Sequence, residues 1–330
     1  MTALEPGDIA PRFSLAAEDG GRVDPRADDV AGVPLVLVFA DMATAPALAP
    51  FVAAAAELRA AGVRLCAVVT EPPAEGAAGF PVLHDVGGEV GRRYGREGAD
   101  AIAVTVAPNQ HVAGVFSGST APKAMALARQ LAERQAPGAT GAHPPVLILP
   151  EVLSPQDCKR LVSIYTLRGH KWVEPGHGDT GMTTDYKMRI PEYGRRDRID
   201  HWILDQDTNQ FVDRRLQSRL FPEIEKSFQY RVTRRETYRI GCYEGERGGE
   251  IHGHRDNTAP QVAHRRFAVS INLNTEEFEG GALRFPEFGG PLYRPETGAA
   301  FAFSCSLLHE ATEVTGGRRY VLLAFLFGDR

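Results

Sequence analysis

From Thr237 onward the chain is a succession of short apolar stretches cut by glycine- and proline-containing turns, and few folds accommodate that pattern. Residues 238–243, 251–256, 266–274, 281–285, 298–303 and 319–327 each have the length and composition of a strand. Short strands in series with turn signals between them favour a β-sandwich or barrel. Upstream, residues 146–149 read as a strand. Ser154 and Pro155 then mark the N-cap and first position of a helix that runs through Leu161 and Tyr165. Phe211, Leu216, Leu220, Ile224 and Phe228 recur at helical spacing, with Pro222 as an interruption. Helices followed by such a β core fit a double-stranded β-helix (jelly roll) with packing helices.

One of these strands contains His254-Arg255-Asp256. Side chains two apart on an extended strand point to the same face, so His254 and Asp256 can share one metal ion. His309, just beyond the strand ending near Phe303, can supply a third ligand. Two histidines and one carboxylate on one face of iron(II) leave open positions for a cosubstrate and oxygen. Arg319 then opens an apolar strand, where a cation is costly unless an anion meets it. Adjacent strand residues face opposite sides, so only one of Arg318 and Arg319 can point inward. His252 can face the same way as His254 and is its nearest alternative. Asn257 is a candidate to orient Asp256 through a hydrogen bond. His143, His170, His177, His201 and His264 stand singly in polar stretches and are expected at the surface.

The first half alternates differently. A strand over 34–40, a helix over 46–61 stopped by Gly62, and a strand over 63–69 are followed by a short strand at 80–83 and a helix at 88–94. A hairpin over 101–107 and 111–116 and a closing helix at 121–134 complete an α/β pattern. The small, proline-rich residues 136–145 cannot bury much surface. The expected organisation is therefore a domain over 1–136, a linker over 137–145 and a second domain over 146–330. Between 172 and 205 the sequence is polar, aperiodic and rich in arginine. A solvated loop face and a mobile lid over substrate are both open readings.

A formal charge of -5 with 24% charged residues gives no electrostatic reason to bind nucleic acid or an anionic membrane. Residues 1–8 lack the basic start and apolar core of a signal peptide, and no apolar run of about 18 residues suggests a membrane span. The cysteines Cys66, Cys158, Cys242 and Cys305 are far apart and fit reduced, buried thiols in a cytoplasmic protein.

Pro6-Gly7-Asp8-Ile9-Ala10-Pro11-Arg12-Phe13, the strand ending at Phe39, and Phe80-Pro81-Val82-Leu83-His84-Asp85 leading to Arg93-Tyr94-Gly95 are similar to the peroxiredoxin branch of the thioredoxin fold. That family places a T-x-x-C turn at the start of its first long helix, where the thiol is activated. Here the stretch is Thr44-Ala45-Pro46-Ala47, with alanine where the cysteine would stand, and Cys66 lies inside an apolar strand. The resemblance with this departure implies a redox-inactive module for interaction, dimerisation or substrate recruitment, with a homodimer as the candidate assembly.

Cys242-Tyr243, His254-Arg255-Asp256-Asn257, Ser270-Ile271-Asn272-Leu273-Asn274, Phe278-Glu279-Gly280-Gly281-Ala282-Leu283-Arg284-Phe285 and His309-Glu310-Ala311-Thr312 with Gly317-Arg318-Arg319-Tyr320 resemble the iron(II)- and 2-oxoglutarate-dependent oxygenases of the prolyl 4-hydroxylase type. The resemblance implies Fe(II) on His254, Asp256 and His309, with Arg319 and Tyr243 on the far carboxylate of 2-oxoglutarate. O2 would be the second cosubstrate and ascorbate a candidate accessory reductant. Asp256 stands where related halogenases have glycine or alanine, which implies hydroxylation. The implied substrates are an amino acid, a peptide or a protein side chain. The competing reading is a non-catalytic, cupin-like binding or scaffold protein; a thiol peroxidase fails on Ala47.

Overall fold

A computed structural model describes residues 4–28, 30–42, 46–71, 78–98, 100–120, 122–135, 142–168, 171–173, 182–190 and 198–329. Thr44, Ala45, most of the expected linker, His170, His177, and Arg195 and Arg196 of the arginine-rich stretch lie outside this set. The chain divides into two compact units, residues 1–143 with 285–291, and residues 144–284 with 292–330.

In the first unit, five strands pair in the order Val82–His84, Arg64–Val69, Leu35–Ala40, Ile102–Val106, Val112–Ser117. The first three run parallel and the hairpin antiparallel. Leu35–Ala40 is buried along its whole length, as an unbroken apolar run should be when both sheet faces are covered. Val36, Val38 and Ala40 pack with Phe51 and Leu58 of the Ala49–Ala60 helix and with Ala124, Met125 and Ala128 of the Lys123–Glu133 helix. Leu35, Leu37 and Phe39 face the opposite core with Phe13 and Tyr94. This is a thioredoxin-like sheet. Ala47 sits in the 3-10 turn Pro46–Leu48 before the first helix. Cys66 is 4% exposed in the second core, and burial, opposed only in part by Arg64, pushes its thiol up to about 12.

Among the described residues, the second unit has two sheets. The larger runs Val146–Leu149, Ala300–Ser304, Phe267–Asn272, Val314–Phe327, Arg239–Glu244, Arg198–Trp202, Tyr186–Ile190, Lys171–Trp172. The smaller runs Ile251–His254, His309–Ala311, Leu283–Arg284, Leu292–Tyr293. Strand alternation decides what each face does. Ile240, Cys242, Val269, Ile271, Leu322 and Ala324 project to one side and pack under Leu161, Ile164, Phe211, Leu216 and Ile224. The residues between them, among them Tyr243, Ser270, Asn272 and Arg319, are left for the other side. The resulting double-stranded β-helix has its helices on the outside of the large sheet. Ser154 accepts from the Asp157 N–H, and the Asp157 carboxylate accepts from the Ser154 N–H, each at 3.1 Å. Such reciprocal capping stabilises a helix by about 1 kcal/mol. Pro222 ends one helix at Arg219 and opens the next, Phe221–Phe228.

Some expectations need correction. The stretch 172–205 contributes two strands, Tyr186–Ile190 and Arg198–Trp202, that extend the large sheet. His201 lies in the second and is fully buried, 3.0 Å from Asp185, rather than at the surface. The strand expected over 251–256 stops at His254, and the one expected from Arg319 begins at Val314. No described helix is long and apolar enough to cross a membrane.

Candidate active site

His254 and His309 are register partners on neighbouring strands of the small sheet, with a bulge between Ile251 and His254 that re-aims the second histidine. Their ring centroids are 4.4 Å apart. Asp256 reaches them from the turn after the strand, not from the strand itself, and its N–H donates to the Cys305 carbonyl at 3.0 Å. Its carboxylate oxygens lie 3.5 Å from His254 Nε2 and 3.4 Å from His309 Nε2. The ligand atoms of the three side chains all fall within 4.8 Å of one another.

Backbone carbonyls decide the tautomers. His254 Nδ1 is 2.8 Å from the His252 carbonyl and His309 Nδ1 is 3.0 Å from the Leu307 carbonyl. A carbonyl only accepts, so each Nδ1 carries a proton and each Nε2 is the ring nitrogen turned toward Asp256. Burial would lower the His254 pKa, but Asp256 outweighs it and raises it. Burial would raise the Asp256 carboxyl, but His309 and His254 outweigh it and hold it at about 2. Without a metal the imidazoles and the carboxylate attract one another through the Nε2 protons; once a cation displaces those protons, the same atoms offer it two lone pairs and a carboxylate. The donor set is that of a two-histidine, one-carboxylate metal site.

Arg319 is 2% exposed on the inner face of the large sheet. Its Nε donates to Asn272 Oδ1 at 3.1 Å and its Nη2 to Ser270 Oγ at 3.4 Å, both neutral partners. Its Nη1 has no hydrogen-bond partner among the described residues. Burial lowers its pKa, with only Tyr243 in opposition. Tyr243 is its register partner, with the guanidinium carbon 5.0 Å from the ring centroid. Gly281, at φ +61, leaves room for the arginine: a Cβ there would stand 3.0 Å from Arg319 Cδ and 2.9 Å from Val314 Cγ2. Leaving a guanidinium in such a place without an anion costs several kcal/mol. The residues therefore fit a carboxylate ligand. Arg318 faces the other way, is largely exposed and meets Glu244 at 3.5 Å.

His252 is exposed and lies 3.6 Å from Glu250, so the bulge removes it from the cluster. Asn257 donates to Ser306 Oγ at 2.8 Å rather than to Asp256. The sequence reading missed the neighbours that brace the site. Arg198 meets Asp200 at 2.6 Å and donates to the Tyr243 hydroxyl at 3.2 Å. Arg265 grips Glu236 at 2.6 and 2.7 Å and donates to the Asp256 carbonyl at 3.2 Å. The one signal available was the alternation Arg198-x-Asp200, a charge pair two apart that a strand places on one face.

Residues 238–327, which include all five expected site residues, match the family model of the 2OG-Fe(II) oxygenase superfamily, and the chain carries a domain of that kind at its C-terminal end. No curated protein matches the chain. Among solved structures it is similar to an oxidoreductase of the 2OG-Fe(II) oxygenase family from Burkholderia pseudomallei (17% identity, TM-score 0.39, 55% of this chain and 84% of that one). It is also similar to the viral collagen prolyl hydroxylase of Paramecium bursaria chlorella virus-1 (14%, 0.39, 55% and 94%). A third similar structure is peroxidoxin BcpB from Mycobacterium tuberculosis (21%, 0.34, 39% and 98%).

Proposed function

We propose that this chain is an Fe(II)- and 2-oxoglutarate-dependent hydroxylase of an amino acid, peptide or protein side chain. In this reading His254, Asp256 and His309 hold the metal, and Arg319 with Tyr243 takes the far carboxylate of 2-oxoglutarate. The observation that carries it is the convergence of two Nε2 atoms and a carboxylate within 4.8 Å, on a scaffold that also buries a guanidinium with no anion beside it among the described residues. The metal, when bound, activates O2 while 2-oxoglutarate is oxidised to succinate and carbon dioxide, and a substrate C–H becomes C–OH.

The chain's own groups prepare that chemistry. Asp256 offsets one metal charge, and the two carbonyl-held imidazoles present their Nε2 atoms without a rotamer search. Arg198 donates to the Tyr243 oxygen, so the Tyr243 proton is free to point toward a carboxylate held by Arg319. That arrangement gives the cosubstrate a two-point grip beside the metal. We further propose that the thioredoxin-like unit performs no thiol chemistry and serves as an interaction module, because Ala47 supplies no thiol and burial suppresses the Cys66 thiolate.

The test is succinate formation from 2-oxoglutarate in air, with and without Fe(II). Iron-dependent succinate is expected, at a slow rate even without added substrate. No succinate, under conditions where both Fe(II) and 2-oxoglutarate bind, would leave a cupin-like binding protein.

A further inference from the structure

The inner face of the large sheet carries a cation that the site above does not use. Arg198, Asp200 and Trp202 pair in register with Tyr243, Gly241 and Arg239, so all their side chains share the face that holds Arg319. Arg198 is matched by Asp200 at 2.6 Å and Arg265 by Glu236 at 2.6 Å. Arg239 has no match as close among the described residues. Its nearest carboxylate oxygens belong to those same two residues, at 3.7 Å (Asp200) and 4.0 Å (Glu236). Only 13% of its side chain is exposed.

The guanidinium lies 5.2 Å over the Trp202 ring and 4.9 Å over the Phe325 ring. A cation held purely by aromatic faces is the plain alternative. Such contacts recover only part of the hydration that a buried guanidinium loses, and an apolar side chain would fill the same gap without that loss. Burial lowers the Arg239 pKa; Asp200 and Glu236 oppose this, while Arg198 and Arg265 reinforce it. The position suits a partner that arrives with its own negative charge.

Its place in the site says which partner. Arg265 donates to the Asp256 carbonyl and covers the Phe325 ring at 3.7 Å, and Arg239 covers that same ring at 4.9 Å, so one shared ring separates Arg239 from an arginine that touches the metal-ligand cluster. Along its strand Arg239 is four residues from Tyr243, roughly 13 Å. A 2-oxoglutarate molecule that reaches Arg319 is too short to reach Arg239 as well. We propose that Arg239 is the anchor for a carboxylate carried by the substrate, and that this pairing sets which C–H stands over the metal. The proposal rests on the oxygenase reading of the same site.

The experiment uses full-length protein loaded anaerobically with Fe(II) and saturating 2-oxoglutarate, whose weak visible charge-transfer band is recorded first. Sodium propionate or propionamide is then added at constant ionic strength, and the band and the tryptophan emission are followed. Half-saturation at least roughly tenfold lower for propionate than for the amide is expected, as charge assistance requires. Acetylglycine against acetylaspartate amide reads the source of the carboxylate, the tighter ligand identifying a main-chain or a side-chain acid. Arg239→Met should keep the band and lose the preference, and Arg239→Lys should keep part of it. Equal half-saturation for propionate and propionamide in the wild type, or an undiminished preference in Arg239→Met, would overturn the proposal. If no band forms at all, the oxygenase reading falls, while the emission titration still decides the anion site.

Discussion

Tyr243 and Arg319 stand opposite each other on neighbouring strands, whereas the next pair along, Glu244 and Arg318, projects to the other side of the sheet. Two adjacent arginines thereby have different fates: one is sealed inside at 2% exposure and the other pairs with a carboxylate in solvent.

Arg319→Met is expected to weaken 2-oxoglutarate binding roughly ten- to a hundredfold, the loss of one charge-assisted pair. Arg318→Met removes an exposed ion pair worth about 0–1 kcal/mol and should leave that affinity unchanged. Titration of Mn(II)-loaded protein with 2-oxoglutarate separates them. Equal losses in both variants would remove Arg319 from its assigned role.

Gly298 joins the helical layer to the sheet. Its N–H donates to Asn272 at 2.8 Å and its carbonyl accepts from Leu153 at 3.0 Å. At φ +83, a Cβ there would stand 2.1 Å from the Leu153 oxygen. Gly298→Ala should therefore cost at least about 3 kcal/mol in urea unfolding, from backbone strain plus collision. Since Asn272 also holds Arg319, 2-oxoglutarate affinity should fall in parallel. A loss under about 1 kcal/mol would show that this junction relaxes freely.

Burial would raise the Asp213 carboxyl, but hydrogen bonds from Arg235 and Tyr238 outweigh it and hold the pKa below the ordinary value. A depressed folded-state pKa stabilises the protein above the unfolded carboxyl value of about 3.9, and the benefit fades as pH falls through the folded value. Asp213→Asn should lower stability at neutral pH and flatten the acid limb. Unfolding curves collected from about pH 6 down to 3 check this. An acid limb as steep as in the wild type would contradict it.

Much of this was legible in the sequence, because period-two and period-3.6 patterns are local. Pro222 marked its helix break, and the His254-x-Asp256 spacing marked two side chains that meet His309 in the proposed metal site, although Asp256 lies in a turn. What stayed hidden depends on partners distant in sequence. Tyr186–Ile190 and Arg198–Trp202 look polar, but Arg198–Trp202 is sheltered by pairing with Arg239–Glu244, and its His201 is answered by Asp185 ahead of the first strand. His201 read as a surface residue for the same reason, and the bulge that turns His252 outward has no local signature.

The Cys66 thiol, pushed up to about 12, is almost entirely protonated near neutral pH. Native protein should neither consume hydrogen peroxide in a thiol-dependent cycle nor react quickly with an aromatic disulfide reagent at this residue. Thiol-dependent peroxide turnover, lost on Cys66→Ser, would restore redox chemistry to the first unit.

The metal cluster bears the central claim, and one anaerobic spectrum tests it. Fe(II) and 2-oxoglutarate added together to the wild type should give a weak visible charge-transfer band. His309→Ala should abolish it, because His254 and Asp256 alone leave the face of the metal incomplete. An unchanged band in His309→Ala would contradict the assignment.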